Sequence, residues 1–304
     1  MTRRALIIVN QHYEDPGFDE LPGATADAEQ LGAVLADPAV GGYEVEVVSE
    51  GTALTWRKAI QRFFTSADPQ DTLVLHLSCH GRKDGRNRLH FAASDTSIEL
   101  LEATAVGAEF LADQMRHSRC RHIVTFLDCC YSGAFTRGVR TRAADREVDV
   151  RAQLRGRAQV VITSATALQY SHENEARSRA GAEPSVFTAA VVEGLRDGAA
   201  DLDQDGEVSA DELYVFVHDR VRAQLPDQTP TWSADGAEGR LVVARNPSYG
   251  RPPGYQVVHV AEDRAWGEWI AAVLAGAGLR VTRRELTPQG PSGSDAPTGA
   301  AEPG

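Results

Sequence analysis

Two apolar runs in this chain end in residues that can do chemistry. The first, Leu75-His76-Leu77-Ser78-Cys79-His80-Gly81, delivers an imidazole and a thiol; the second, Phe126-Leu127-Asp128-Cys129-Cys130-Tyr131-Ser132-Gly133, delivers two further thiols about fifty residues on. A thiol attacks a peptide carbonyl only as thiolate, so it needs a base in reach and hydrogen-bond donors for the oxyanion that forms. One strand end can supply the imidazole and its neighbour the thiol, while Gly81, Ser132 and Gly133 leave room for a substrate. Two blander readings compete. A buried Cys is most often inert core, and Cys79, His80, Cys129 and Cys130 are all zinc-ligand types, although ligands adjacent in sequence suit a tetrahedral site poorly.

A second constellation is acidic. Asp197 to Glu212 holds seven carboxylates in sixteen residues. Within it, Asp201-Leu202-Asp203-Gln204-Asp205-Gly206-Glu207-Val208-Ser209-Ala210-Asp211-Glu212 fits the calcium-loop pattern without a mismatch. The expected Ca2+ ligands are Asp201, Asp203, Asp205, the carbonyl of Glu207, Ser209 and both oxygens of Glu212. Ser209 and Glu212 alone would also make a helix capping box, which leaves the three alternating aspartates unexplained. No organic cofactor is expected.

These residues need a frame. Ala5–Asn10, Tyr43–Val48, Thr72–Ser78, His122–Asp128 and Gln159–Thr163 read as buried strands. Ala28, Leu31 and Leu35 mark one helix between them, Trp56, Ile60 and Phe63 a second, and Leu111 with Met115 a third. Such alternation predicts an α/β fold, a mostly parallel sheet flanked by helices on both faces. Functional groups then gather at the carboxyl ends of strands, where His80 and the thiols stand. Two more helices are expected at Ser185–Asp197 and Ala210–Leu225, and a last strand at Arg240–Ala244 should close the sheet.

The Cys and His segments together resemble the caspase-like peptidase superfamily, in particular its bacterial metacaspase-like branch. Asp128-Cys129-Cys130-Tyr131-Ser132-Gly133 matches that branch's Cys segment, with Tyr131 where it usually carries His, and Ser78-Cys79-His80-Gly81 matches its His segment. The resemblance covers residues 4–245 and implies a cysteine endopeptidase with Cys130, not Cys129, as nucleophile and His80 as base. It also implies an oxyanion hole from the amides of Gly81 and Cys130. The position that carries the pocket Arg of caspases proper falls on Leu21, which cannot pair with a carboxylate. Metacaspases use acidic residues instead, here Asp27 and Asp128 with Ser78 nearby, and two carboxylates would select Arg or Lys before the cut. Otherwise Asp27 caps a helix and Asp128 holds a loop through backbone hydrogen bonds.

The sequence divides into a peptidase domain over 1–245, a linker at 246–254, a strand–helix–strand module at 255–286 and a compositionally disordered tail at 287–304. Seven arginines in 136–157 mark an exposed loop with candidate self-cleavage sites. The 255–286 module resembles the start of a bacterial TIR domain, which suggests TIR-like or other adaptor partners in a defence or cell-death pathway. As a plain add-on it would instead bury Trp266, Ile270 and Val273 as a stripe. Its resemblance covers too little for any nucleotide-cleaving activity.

Peptides or proteins are the expected substrates. A net charge of -12 argues against nucleic acid, no run is long enough to span a membrane, and the four cysteines lack a disulfide spacing, so a cytoplasmic location is expected. A single calcium loop is more often structural than a switch; the resemblance implies calcium dependence, usually through different carboxylates, which leaves a regulatory role open for this loop. The rival from another class is a catalytically inactive, caspase-like calcium-binding scaffold in a signalling complex.

Overall fold

The computed structural model describes residues 1–129, 131–132, 159–164, 184–235, 240–250 and 254–286. The chain forms two compact units, Met1–Tyr249 and Gly250–Gly304.

The first unit is built on a six-stranded sheet. Its strands are β1 (Arg3–Val9), β2 (Glu44–Ser49), β3 (Thr72–Ser78), β7 (His122–Asp128), β9 (Gln159–Thr163) and β11 (Thr231–Asp235), in the order β11-β9-β7-β3-β1-β2. Every pairing is parallel except that of β11 with β9. Helices α1 (Ala24–Ala36), α5 (Val186–Arg196) and α6 (Ala210–Gln224) belong to one core, and α2 (Ala53–Thr65) and α4 (Ala108–His117) to the other. Strand alternation divides the side chains: Ile7, Val9, Val74 and Phe126 face α1 and α5, while Leu6, Ile8, Leu75 and Leu127 face α2 and α4. The mostly parallel α/β sheet with helices on both faces is therefore present.

Helix α2 shows how local sequence fixes an element. Thr52 caps it by accepting the Thr55 amide at 3.2 Å, and Trp56, Ile60 and Phe63 recur at helical spacing on its buried face. Removing the fully buried Trp56 side chain would cost about 3–5 kcal/mol, through lost transfer energy and the cavity left behind.

Two strand expectations need correction. The run expected to close the sheet does not join it: β12 (Val242–Arg245) pairs with β10 (Glu207–Ser209) in a separate two-stranded sheet, and β11 takes the edge instead. Arg3 Nη1 and the Tyr43 hydroxyl both donate to the Val243 carbonyl, at 3.2 and 2.8 Å, holding β12 beside the start of the chain. Strand β2 is not buried; it is the opposite edge, with Val47 half exposed.

A further small sheet lies above the strand ends. It contains β4 (Gly81–Lys83), β5 (Leu89–Phe91), β6 (Val106–Gly107) and β8 (Tyr131–Ser132), in the order β6-β5-β4-β8; a single-turn helix α3 (Leu101–Thr104) precedes β6.

The second unit has parallel strands β13 (Gly254–Val260) and β14 (Arg280–Leu286) with α7 (Arg264–Gly276) between them. Within this unit Trp266, Ile270 and Val273 are exposed, and Gly267 is the buried residue of that helix. The 136–157 loop and the 287–304 tail lie outside the described residues.

Candidate active site

Register places the two segments that follow β3 and β7 side by side. In the main sheet, Ser78 is the partner of Asp128 in the last step of the β3–β7 ladder. In the small sheet, Gly81 is the partner of Tyr131 in the first step of the β4–β8 ladder. Residues 79–80 thus connect the two ladders on one side, and Cys129 stands at the matching step after β7 on the other. Cys130 itself lies outside the described residues.

His80 is buried and its ring is held on three sides. Nε2 lies 2.7 Å from the carbonyl oxygen of Asp19. A carbonyl only accepts, so Nε2 carries a proton, and in the neutral ring Nδ1 is the basic nitrogen. Phe18 stacks on the ring at 5.5 Å between centroids, and Tyr13 lies against it at 5.0 Å. The His80 amide donates to the Tyr13 hydroxyl at 3.2 Å, which in turn donates to the carbonyl of Asn10 at 3.2 Å. Burial, with the nearby sulfur of Cys79, pushes the Tyr13 phenol well above its ordinary value, so it stays neutral. Sequence reasoning missed Tyr13, Phe18 and Asp19. The first two had no distinguishing pattern, and a backbone carbonyl leaves no trace in residue type.

The three expected specificity residues come together. Asp27, Ser78 and Asp128 are all buried. The Ser78 hydroxyl donates to Asp27 Oδ2 at 2.9 Å. Asp27 Oδ1 accepts the Ser185 amide at 2.8 Å, and Asp128 Oδ2 accepts the hydroxyls of Ser185 and, at 3.2 Å, Thr188. Ser185 caps α5, so both carboxylates stand at the positive end of that helix. Asp27 sits within α1 yet serves the terminus of α5. Ser185 and Thr188 were also missed, although a Ser opening an apolar helical pattern is a readable cap.

The acidic loop has its own geometry. Carboxylate oxygens of Asp201, Asp203 and Asp205 all lie within 4.8 Å of one another. Gly206 has φ of 96°, a left-handed turn where a side chain would be strained and where a Cβ would meet the Tyr249 ring at 2.7 Å. Strand β10 lies within the loop and is paired by β12. Arg240 enters from the start of that strand's approach: its guanidinium donates to Asp205, to Asp203 at 3.5 Å, to the Glu207 carbonyl at 3.4 Å and to Glu212 Oε2 at 2.8 Å.

Glu212 also accepts the amides of Leu202, Asp203 and Ser209. Burial raises its carboxyl, but the hydrogen bonds from Ser209, Asp203 and Leu202 outweigh it and hold the group below its ordinary value. Ser209, expected as a ligand, is fully buried in the capping box of α6, its hydroxyl 2.5 Å from Glu212 Oε2.

Comparison with known proteins places this frame. Residues 2–241 match the caspase domain family. Among solved structures the chain is similar to caspase-1 from Spodoptera frugiperda (18% identity, 76% of this chain and 86% of that one, TM-score 0.52). It is similar as well to pro-sf-caspase-1 (18%, 80% and 90%, TM-score 0.55) and to protein GSU0716 from Geobacter sulfurreducens (17%, 79% and 95%, TM-score 0.55). No curated protein matches it. Among the described residues no helix is long and apolar enough to cross a membrane. With the matched span covering most of the chain, and the strand ends arranged as above, the chain belongs to the caspase domain family.

Proposed function

We propose that the chain is a cysteine endopeptidase of the bacterial metacaspase-like branch, cutting after Arg or Lys. The observation that supports this reading is the double ladder, with β3 and β4 on either side of His80 and β7 and β8 on either side of the Cys segment, together with the Asp19 carbonyl that holds Nε2 of His80. Nδ1 of His80 takes the thiol proton of Cys130, and the thiolate attacks the substrate carbonyl. The amides of Gly81 and Cys130 receive the oxyanion; the protonated imidazole then gives its proton to the leaving amine, and water releases the acyl group. Asp27 and Asp128, with Ser78, form the acidic floor that selects a basic side chain.

Ca2+ belongs to this reading. The carboxylates of Asp201, Asp203, Asp205 and Glu212 and the carbonyl of Glu207 would hold it as an all-oxygen site, with Ser209 contributing to the helix cap behind them. What supports a cation here is the donor set and the guanidinium of Arg240, a positive group drawn to oxygens at four of the six expected ligand positions. The metal would supply rigidity between α5 and α6, not chemistry. The 255–286 module would pair with TIR-like or other adaptor modules in a defence or cell-death pathway.

The deciding experiment is cleavage of Arg-ending against Asp-ending fluorogenic peptides, with calcium or a chelator, by the full chain and its Cys130→Ala variant. Cleavage after Arg that requires Cys130 is the expected result. Cleavage after Asp would keep the nucleophile and overturn the acidic pocket; silence from folded protein on both would favour an inactive calcium-binding scaffold.

A further inference from the structure

Cys79 and Cys129 each immediately precede a residue of the proposed dyad, and their sulfurs are 3.4 Å apart. Both side chains are buried among Leu77, Leu127 and the apolar residues of α2 and α4. They point to the face opposite Asp27 and Asp128, so neither belongs to the specificity cluster. The Cys79 amide donates to the Asp128 carbonyl at 3.4 Å, which extends the β3–β7 pairing by one step and puts the two cysteines opposite each other. Neighbouring strands run about 4.8 Å apart, inside the Cα separation of about 4.4–6.8 Å that a disulfide bridges. The Cys129 thiol also reaches the Leu77 carbonyl at 3.6 Å. Among the described residues neither sulfur is part of a cluster of three metal-ligating side chains.

We propose that Cys79 and Cys129 form a reversible disulfide when the protein meets a hydroperoxide, and that this bond switches off the site built on the next residue of each strand. The second half rests on the peptidase reading above. One sulfur attacks the terminal peroxide oxygen; the O–O bond breaks, the alkoxide leaves as an alcohol with the thiol proton, and a sulfenic acid remains. The second sulfur attacks that sulfur, the S–O bond breaks, and hydroxide leaves as water with the second thiol proton. Two electrons pass from the sulfur pair to the peroxide.

Closing the sulfurs from 3.4 Å to about 2.05 Å turns both cysteine side chains into the fixed disulfide torsion and, through the peptide bond to the next residue, shifts His80 against the nucleophile. A misplacement near 1 Å costs about a hundredfold in rate, so the bridged form loses activity. Burial, aided by the hydrogen bond shared with Cys79 and by that sulfur's charge when ionised, pushes the Cys129 thiol well above its ordinary value. The pair therefore responds to sustained oxidation and not to a brief pulse.

The test uses the full chain with Cys130 protected by a reversible Arg-aldehyde inhibitor. The protein is treated with hydrogen peroxide for hours, quenched with catalase, alkylated in denaturant and digested for mass spectrometry. Expected is a Cys79–Cys129 linked peptide that dithiothreitol abolishes. A parallel sample, freed of inhibitor, should cleave the Arg-ending peptide at least about tenfold more slowly until dithiothreitol is added. Protected Cys79→Ser should keep its full rate through the same treatment. Free Cys79 and Cys129 after peroxide, or a bridge to Cys120, would overturn the bond. A mapped bridge with undiminished activity would overturn the switch. If the reduced chain cleaves nothing, the peptidase reading fails, and the peptide map still decides the bond.

Discussion

Asp27 and Asp128 meet on one residue: the amide of Ser185 donates to the first at 2.8 Å and its hydroxyl donates to the second. Two carboxylates far apart in the chain are thereby fixed at a helix terminus, where the oriented amides stabilise their negative charge. The same arrangement anchors α5 and, in the proposed peptidase, is the acidic floor of the specificity pocket.

Those two roles separate on substitution. Asp27→Asn and Asp128→Asn should each lower kcat/KM for an Arg-ending peptide by at least about tenfold, because a desolvated charge partner of the guanidinium is lost. Ser185→Ala removes a helix cap and one of the hydroxyls held by Asp128, costs about 1 kcal/mol of stability, and keeps the preference for Arg-ending over Asp-ending peptides, because Thr188 still holds Asp128 and the residue 185 amide still holds Asp27. Peptide kinetics paired with thermal unfolding give both readouts. An unchanged Arg preference in both Asp variants would leave the anchor role alone.

His80 depends on its surroundings for orientation. Phe18→Ala should lower kcat about tenfold or more with KM little changed, since the ring loses its stacking partner while the substrate keeps its contacts. His80→Ala and Cys130→Ala should abolish cleavage. Steady-state kinetics on one Arg-ending substrate check all three, and a Phe18→Ala effect confined to KM would contradict the positioning role.

Arg240 competes with any metal for the same oxygens. Arg240→Gln should therefore raise calcium affinity, by about tenfold if the displaced contacts are worth about 1.4 kcal/mol. Asp203→Asn should lower it. Isothermal titration of both variants with calcium chloride measures this, and equal affinity in wild type and Arg240→Gln would show that the guanidinium is no competitor.

His76 offers a pH prediction. It is buried beside Asp128, and burial lowers its pKa to about 4, against a partial opposing pull from that carboxylate. The unfolded chain binds this proton below about pH 6.5 and the folded chain does so only near 4. Stability is thus full above pH 6.5 and falls as the pH drops toward 4, by about 3 kcal/mol over that window. The depressed carboxyls of Glu212 and of Asp84, the latter held at about 2 despite burial by hydrogen bonds from Arg88 and His90, are lost only at lower pH. Urea unfolding at pH 7 and 4.5 should show a clearly smaller difference in His76→Phe than in wild type.

Legibility in the sequence followed length and chemistry. Strands β3 and β7 were readable because each is a seven-residue run centred on four large apolar residues, Leu73, Val74, Leu75 and Leu77 in one and Ile123, Val124, Phe126 and Leu127 in the other, as a parallel strand buried on both faces needs. His80 was readable as a candidate because its type and place at a strand exit carry the signal. Strand β11 was not: Thr231-Trp232-Ser233-Ala234-Asp235 alternates weakly, as an antiparallel edge can, while the apolar Val242–Arg245 imitated a closing strand. The two- and three-residue strands of the small sheet fall below any detectable period. Arg240 was read as the start of a strand, because its partners are brought near by folding and not by spacing.

One consequence of the sheet order concerns the segment that separates β8 from β9 and holds the seven arginines. Strands β7 and β9 flank that segment in sequence yet are hydrogen-bonded neighbours from Ile123 with Gln159 to Leu127 with Thr163. Val243 on the far side is gripped by Arg3 and Tyr43 from the beginning of the chain. A nick among those arginines would therefore leave two polypeptides that migrate apart in denaturing gels and travel as one particle through a sizing column.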